Sequence, residues 1–211
     1  MLVTRTALQV YVANMRSLFI SLALLFAFIA CGDGATKQPG VDLPLEVDAA
    51  IDAPPATPSC TAYCTKLMAN CTGTNAQYSM LTDCMNSCSR FAVGTAGMTT
   101  TNTVGCRLYH AELAQTAPAT HCVHAGPGGG DQCGSVCEGY CKIAVAVCSP
   151  QVGDQTKCMS DCATYASAGM PYNSKIQSGN TAECRLYHAT AAATAPNPHC
   201  MHVGNASTTC Q

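Results

Sequence analysis

The chain has 211 residues, 17 cysteines, no tryptophan and a formal net charge of −2. Such a composition excludes one large core held by apolar burial alone and points to disulfide staples made in an oxidising compartment. Within residues 60–211 seven Lys plus Arg face seven Asp plus Glu, which leaves no basic stripe for nucleic acid.

Residues 17–30, SLFISLALLFAFIA, form an uncharged apolar run that follows Arg16. A membrane span needs roughly 20 residues, so this shorter run predicts the core of a signal peptide over residues 1–30. Met15-Arg16 stands directly before it and offers an alternative start to Met1. The next residues, Phe28-Ile29-Ala30-Cys31, resemble the lipobox of bacterial lipoproteins, with Phe28 where Leu is usual. The resemblance implies that Cys31 carries lipid and becomes the mature N-terminus. It also implies a lipid bilayer as partner, with the exported protein anchored to a bacterial membrane at the outer membrane or cell surface. Cysteine counting agrees, since 16 of the 17 lie from Cys60 onward and Cys31 is the odd one. Residues 31–59 then read as this lipidated cysteine and a tether rich in Pro and Asp, too polar to order itself.

The remainder divides into matching halves, 60–136 and 137–211, each with eight cysteines in corresponding order. Cys60, Cys64, Leu67 and Cys71 fall on one helical face, as do Cys84, Cys88 and Phe91. Two antiparallel helices that each present C-x-x-x-C can be joined by two rungs. The expected pairs are therefore Cys60–Cys88 and Cys64–Cys84, then Cys137–Cys162 and Cys141–Cys158. This pattern is similar to the twin C-x3-C hairpins of small mitochondrial intermembrane-space chaperones, which implies the hairpin fold and not the activity. The fold class expected is mainly α: two tandem, disulfide-stapled helical units, each a hairpin with a third helix and a Gly-rich or polar loop.

One stretch is written twice. Residues 102–126 and 180–204 share 16 of 25 positions and hold all six histidines. Asn102-Thr103 and Asn180-Thr181 are expected to cap third helices, with Asn180 and Glu183 spaced as a capping box. Pro118 and Pro196 are expected to stop these helices, and residues 119–136 to form a glycine-rich loop. Cys106, His110 and Leu113 share a face, which turns His110 inward. The remaining pairs expected are Cys71–Cys106 and Cys122–Cys133, repeated as Cys148–Cys184 and Cys200–Cys210, although eight cysteines admit 105 connectivities.

Two readings of the histidines stand side by side. In one, Tyr and His serve as polar packing in a core short of large apolar residues. In the other, His110, His121 and His124, and in the second half His188, His199 and His202, form three-imidazole sets suited to zinc or copper. The chain then reads as an anchored envelope protein with a binding or structural role, towards another envelope protein for instance, or alternatively as a metal- or haem-handling protein. Covalent haem attachment has no C-x-x-C-H to support it. Neither G-x-S-x-G, a P-loop nor H-E-x-x-H is present, so no enzyme is expected. Asp83 and Asp161 occupy matching positions without an acidic neighbour.

Overall fold

The computed structural model describes residues 57–211. The signal segment, Cys31 and all but the end of the tether lie outside the described residues. Among the described residues there are eight helices, no named strand, and no helix long and apolar enough to cross a membrane. In the first half these are α1 (Cys60–Asn70), α2 (Leu81–Cys88), α3 (Val104–Leu113) and α4 (Pro118–Ala125). In the second they are α5 (Val136–Val152), α6 (Gln155–Cys162), α7 (Ala182–Ala192) and α8 (Pro196–His199).

Local chemistry explains the boundaries. Ser59 caps α1 by accepting from Ala62 N at 3.1 Å, and Ser135 with Glu138 builds a reciprocal capping box on α5. Thr103 and Thr181 cap α3 and α7, each accepting from the amide three residues on. The expected Asn180–Glu183 box is corrected here. Glu183 instead accepts from Ser167 Oγ at 3.0 Å and Ala168 N at 2.9 Å, fastening the loop that precedes α7. Helix α5 breaks at Cys148, whose φ of −131° is non-helical just before Pro150. Cys71 ends α1 at the corresponding place.

The hairpin rungs pair Cys60 with Cys88, Cys64 with Cys84, Cys137 with Cys162 and Cys141 with Cys158. The other four bridges correct the sequence reading. Cys71 joins Cys122 and Cys106 joins Cys133, where Cys71–Cys106 and Cys122–Cys133 were expected. Likewise Cys148 joins Cys200 and Cys184 joins Cys210, in place of Cys148–Cys184 and Cys200–Cys210. The cause is helical. Pro118 does not merely stop α3, which already ends at Leu113; it occupies the first turn of a further helix, where its missing N–H costs nothing. Helix α4 thereby crosses the end of α1, and the Tyr63 hydroxyl donates to Ala125 O at 2.7 Å. The loop after α4 then returns to the start of α3, with Thr101 N donating to Gln132 O at 3.1 Å, which brings Cys133 to Cys106.

The core of each half lies between its hairpin and the helix of the repeated stretch: Tyr63, Leu67, Val104 and Leu108 in one, Tyr140, Ile143, Leu186 and Ala189 in the other, all buried. Arg107 is wholly buried too. Its guanidinium donates to the carbonyls of Gly126, Pro127 and Thr103 at 3.2, 3.1 and 3.3 Å and stacks 3.8 Å above Phe91. The halves meet along a seam. There α2 packs on α7, Gln77 Nε2 donates to Tyr172 O at 3.1 Å, and Ser174 N donates to Ala76 O at 2.7 Å.

Two outcomes follow from these contacts. Mass-spectrometric disulfide mapping of the non-reduced protein will recover Cys71–Cys122 and Cys148–Cys200. Arg107→Ala, which strands the Gly126 and Pro127 carbonyls and opens a void beside Phe91, will lower unfolding free energy in guanidinium titration by about 3 kcal/mol.

Candidate metal centres

Helix α3 carries His110 one turn beyond Cys106, and α4 carries His121 and His124 on either side of Cys122. Because Cys106 and Cys122 are both tied down, the three imidazoles are brought together by covalent bonds outside the cluster. His110 Nδ1 lies 3.0 Å from His121 Nδ1. The His110 and His124 ring centroids are 4.8 Å apart, and those of His121 and His124 are 5.9 Å apart. One ring nitrogen from each of the three falls within 4.8 Å of the others. Zinc–imidazole bonds of 2.0–2.1 Å put ligand nitrogens about 3.3 Å apart in a tetrahedron, so closing on one ion asks only a small shift of His124.

The protonation of this cluster can be read from its partners. His110 Nε2 sits 3.1 Å from the Thr99 carbonyl, which can only accept, so the proton is on Nε2 and the Nδ1 lone pair faces His121. A ring N–H held by a backbone carbonyl is the outer-shell arrangement that orients metal-ligating histidines. Burial holds the pKa of His110 below the ordinary imidazole value, against the Thr99 bond, which raises it. Burial does the same at His124, aided by the neighbouring His110 and His121. His124 Nδ1 is buried with no hydrogen-bond partner. The cluster thus includes an unused buried nitrogen on His124, and neutral imidazole is the form that binds metal.

The second half repeats the motif more loosely. His188 Nδ1 faces His199 Nδ1 at 3.0 Å, and His188 Nε2 donates to Gln177 O at 3.2 Å. The His202 ring lies 4.7 Å from that of His188 but 6.5 Å from that of His199, and its Nδ1 is buried without a partner. Burial pushes the pKa of His188 down to about 4. His110 and His188 also neighbour the pairs Cys106–Cys133 and Cys184–Cys210, but those sulfurs are disulfides and offer no thiolate.

The sequence missed the surroundings of the clusters. The carbonyls of Thr99 and Gln177 come from irregular segments that no side-chain pattern marks. A cleft of about 460 Å³ beside His124 is walled by Val123, Asp131 and Val136 from one side and by Tyr172 and Glu183 from the other. Gly130, at φ +51°, keeps the His124 ring reachable, since a Cβ there would stand 2.9 Å from His124 Cδ2.

Residues 55–136, less than half of the chain, match the BfoA family C-terminal domain. The chain is 38% identical over 87 residues to the Aurasperone B biosynthesis cluster protein A of two strains of Aspergillus niger, covering 36% of this chain and 28% of the relative. It is 37% identical over 87 residues to the Bifonsecin B biosynthesis cluster protein A of Aspergillus brasiliensis, covering 36% of this chain and 29% of that one. The chain therefore spans under a third of the length of these curated relatives. No solved structure matches it. The protein is a cysteine-rich, disulfide-stapled helical protein whose residues 55–136 are similar to the C-terminal domain of the BfoA family.

Proposed function

We propose that the protein is an exported metal-binding protein in which His110, His121 and His124 hold one zinc or copper ion. The observation that carries this reading is the convergence of three ring nitrogens, with His110 already fixed as the tautomer that presents Nδ1. Polar packing, the competing role, accounts for a histidine that bonds a carbonyl. It does not account for the buried, unbonded Nδ1 of His124. Three imidazoles leave a fourth coordination position for water or a small ligand, and the cleft beside His124 gives that position a route to solvent. The role is binding rather than a reaction of its own, and the names of the fungal relatives, biosynthesis cluster proteins, supply no activity to transfer.

The same reading keeps the protein outside the cytoplasm and held to a membrane by lipid on Cys31. Eight disulfides use every cysteine from Cys60 to Cys210 and assign Cys31 no partner among them. The lipobox resemblance is bacterial while the relatives are fungal. The former rests on residues 28–31, and the family match on residues 55–136.

Metal analysis of the oxidised, tag-free protein after dialysis against zinc or copper will find metal bound, and His110→Ala will weaken the first centre at least 100-fold in a titration. Metal-free protein with unchanged folding would return the histidines to packing. Cys31→Ala will move the protein from the membrane fraction to the soluble one; retention on the membrane would refute the anchor.

A further inference from the structure

The two halves differ in the loop that follows the last histidine of each set. Between His124 and Cys133 the chain runs Ala-Gly-Pro-Gly-Gly-Gly-Asp-Gln, whereas between His202 and Cys210 it runs Val-Gly-Asn-Ala-Ser-Thr-Thr. Three consecutive glycines and an acid therefore belong to the first loop alone. Gly130 takes φ +51°, and a Cβ there would stand 2.7 Å from Val123 Cγ1 and 2.9 Å from His124 Cδ2. Any side chain at 130 would press on two residues of the cleft wall at once. Glycine leaves both in place.

The cleft of about 460 Å³ beside His124 is far larger than the roughly 30 Å³ of a water, and it falls within the range of small-molecule sites. Its walls are of two kinds. Val123, Val136, Met170 and Pro171 are apolar, Asp131 and Glu183 are acidic, and no Lys or Arg lines it. Among the described residues neither acid has an ion-pair partner. Glu183 is 5% exposed, and its carboxylate accepts from two neutral donors, Ser167 Oγ and Ala168 N. Arg107, which reaches the start of the same loop, is wholly buried and directs its donors at backbone carbonyls.

We propose that this cleft binds a small uncharged molecule with an apolar body and a nitrogen donor, which takes the fourth position on the metal held by His110, His121 and His124. The inference rests on the metal reading of that set and names the ligand class it serves. His124 is the shared residue, since it belongs both to the converging nitrogens and to the cleft wall. Three neutral imidazoles leave the charge of a divalent ion uncancelled, and the carboxylates of Asp131 and Glu183 balance it. An anionic donor would add a further negative charge beside the two acids, and like charges set together are costly. An uncharged donor avoids that cost. Nitrogen also suits zinc and copper, and the apolar walls give the body of the molecule a surface that water alone would not use.

The test uses the full chain with its disulfides intact, loaded with Co²⁺, whose visible bands report a change of ligand. Benzimidazole and benzoate are the probes, similar in body and different in charge at neutral pH, with imidazole as the donor that lacks the fused ring. Benzimidazole will shift the bands and bind at least about tenfold tighter than benzoate and about tenfold tighter than imidazole. Asp131→Asn will narrow the gap to benzoate. Ala119 and Thr120 are exposed wall residues on α4. Ala119→Trp, which fills the cleft from the solvent side, will weaken benzimidazole at least about tenfold and leave cobalt affinity unchanged. Should that variant fail to fold, Thr120→Trp decides in its place. Benzoate binding as tightly as benzimidazole overturns the inference, as does a Trp variant that leaves benzimidazole affinity intact. If cobalt binds and its bands do not answer to benzimidazole, the inference alone falls. If no cobalt binds, the function proposed above falls with it.

Discussion

The bridge from Cys71 to Cys122, echoed by Cys148 to Cys200, is the constraint on which the rest depends. It closes a stretch of 51 residues, a restriction of the unfolded chain worth about 4 kcal/mol in the loop-entropy account. Its geometric effect matters more than its energy. Helix α4 is only eight residues long and has a modest apolar face, so packing alone would hold it weakly. Anchored at Cys122 to the end of α1, it has one available position, and that position sets His121 and His124 against His110 of α3. A short helix with two histidines flanking its covalent anchor gives a site whose precision comes from the staple rather than from a large core.

Arg107 extends the same logic to the loop after α4. A wholly buried guanidinium is expensive unless its donors are used, and here three carbonyls and the Phe91 face use them. Two of those carbonyls, Gly126 and Pro127, belong to the segment that carries the chain from α4 to Cys133. The charge therefore pins the loop from inside while Cys106–Cys133 pins it from its far end. In the second half Arg185 stacks at 3.8 Å on Tyr165 and bonds only Thr181 O and Asn180 Oδ1, and its Nε has no partner. The loop after Cys200 is held by one fewer set of bonds, and the His202 ring stands farther from His199 than His124 does from His121. The looser histidine set and the less occupied arginine occur in the same half.

Much of the scaffold was legible in the sequence because it is written in short-range spacing. C-x-x-x-C places two sulfurs on one helical face wherever it occurs, so the four hairpin rungs need only the helical period. The histidine sets were visible as residues, through the duplicated stretch. What spacing could not convey was which loop returns to which helix. Taking Pro118 as a stop rather than a start erased α4, and without α4 the third and fourth bridges of each half were assigned crosswise. The partners of the rings were hidden for another reason. Thr99 and Gln177 contribute backbone oxygens, which carry no side-chain signal.

The seam between the halves is where duplication stops predicting. Two copies of one unit begin with equivalent surfaces, but when they pack on each other each presents a different face, and equivalent positions acquire different environments. Asp161 remains at the surface and satisfies itself with Lys157, while Asp83 is carried into the interface and loses that option. Burial of an acid is costly unless its charge is compensated, and on this face α2 packs on α7, with Asn86 donating to Thr194 Oγ1 across the seam. The two stretches that carry the histidines share 16 of 25 positions, yet the outer ring stands farther from its neighbour in the second half than in the first. Matching histidines on an asymmetric pair of scaffolds need not bind alike: the first set converges beside a cleft, and in the second the His202 ring stands 6.5 Å from that of His199.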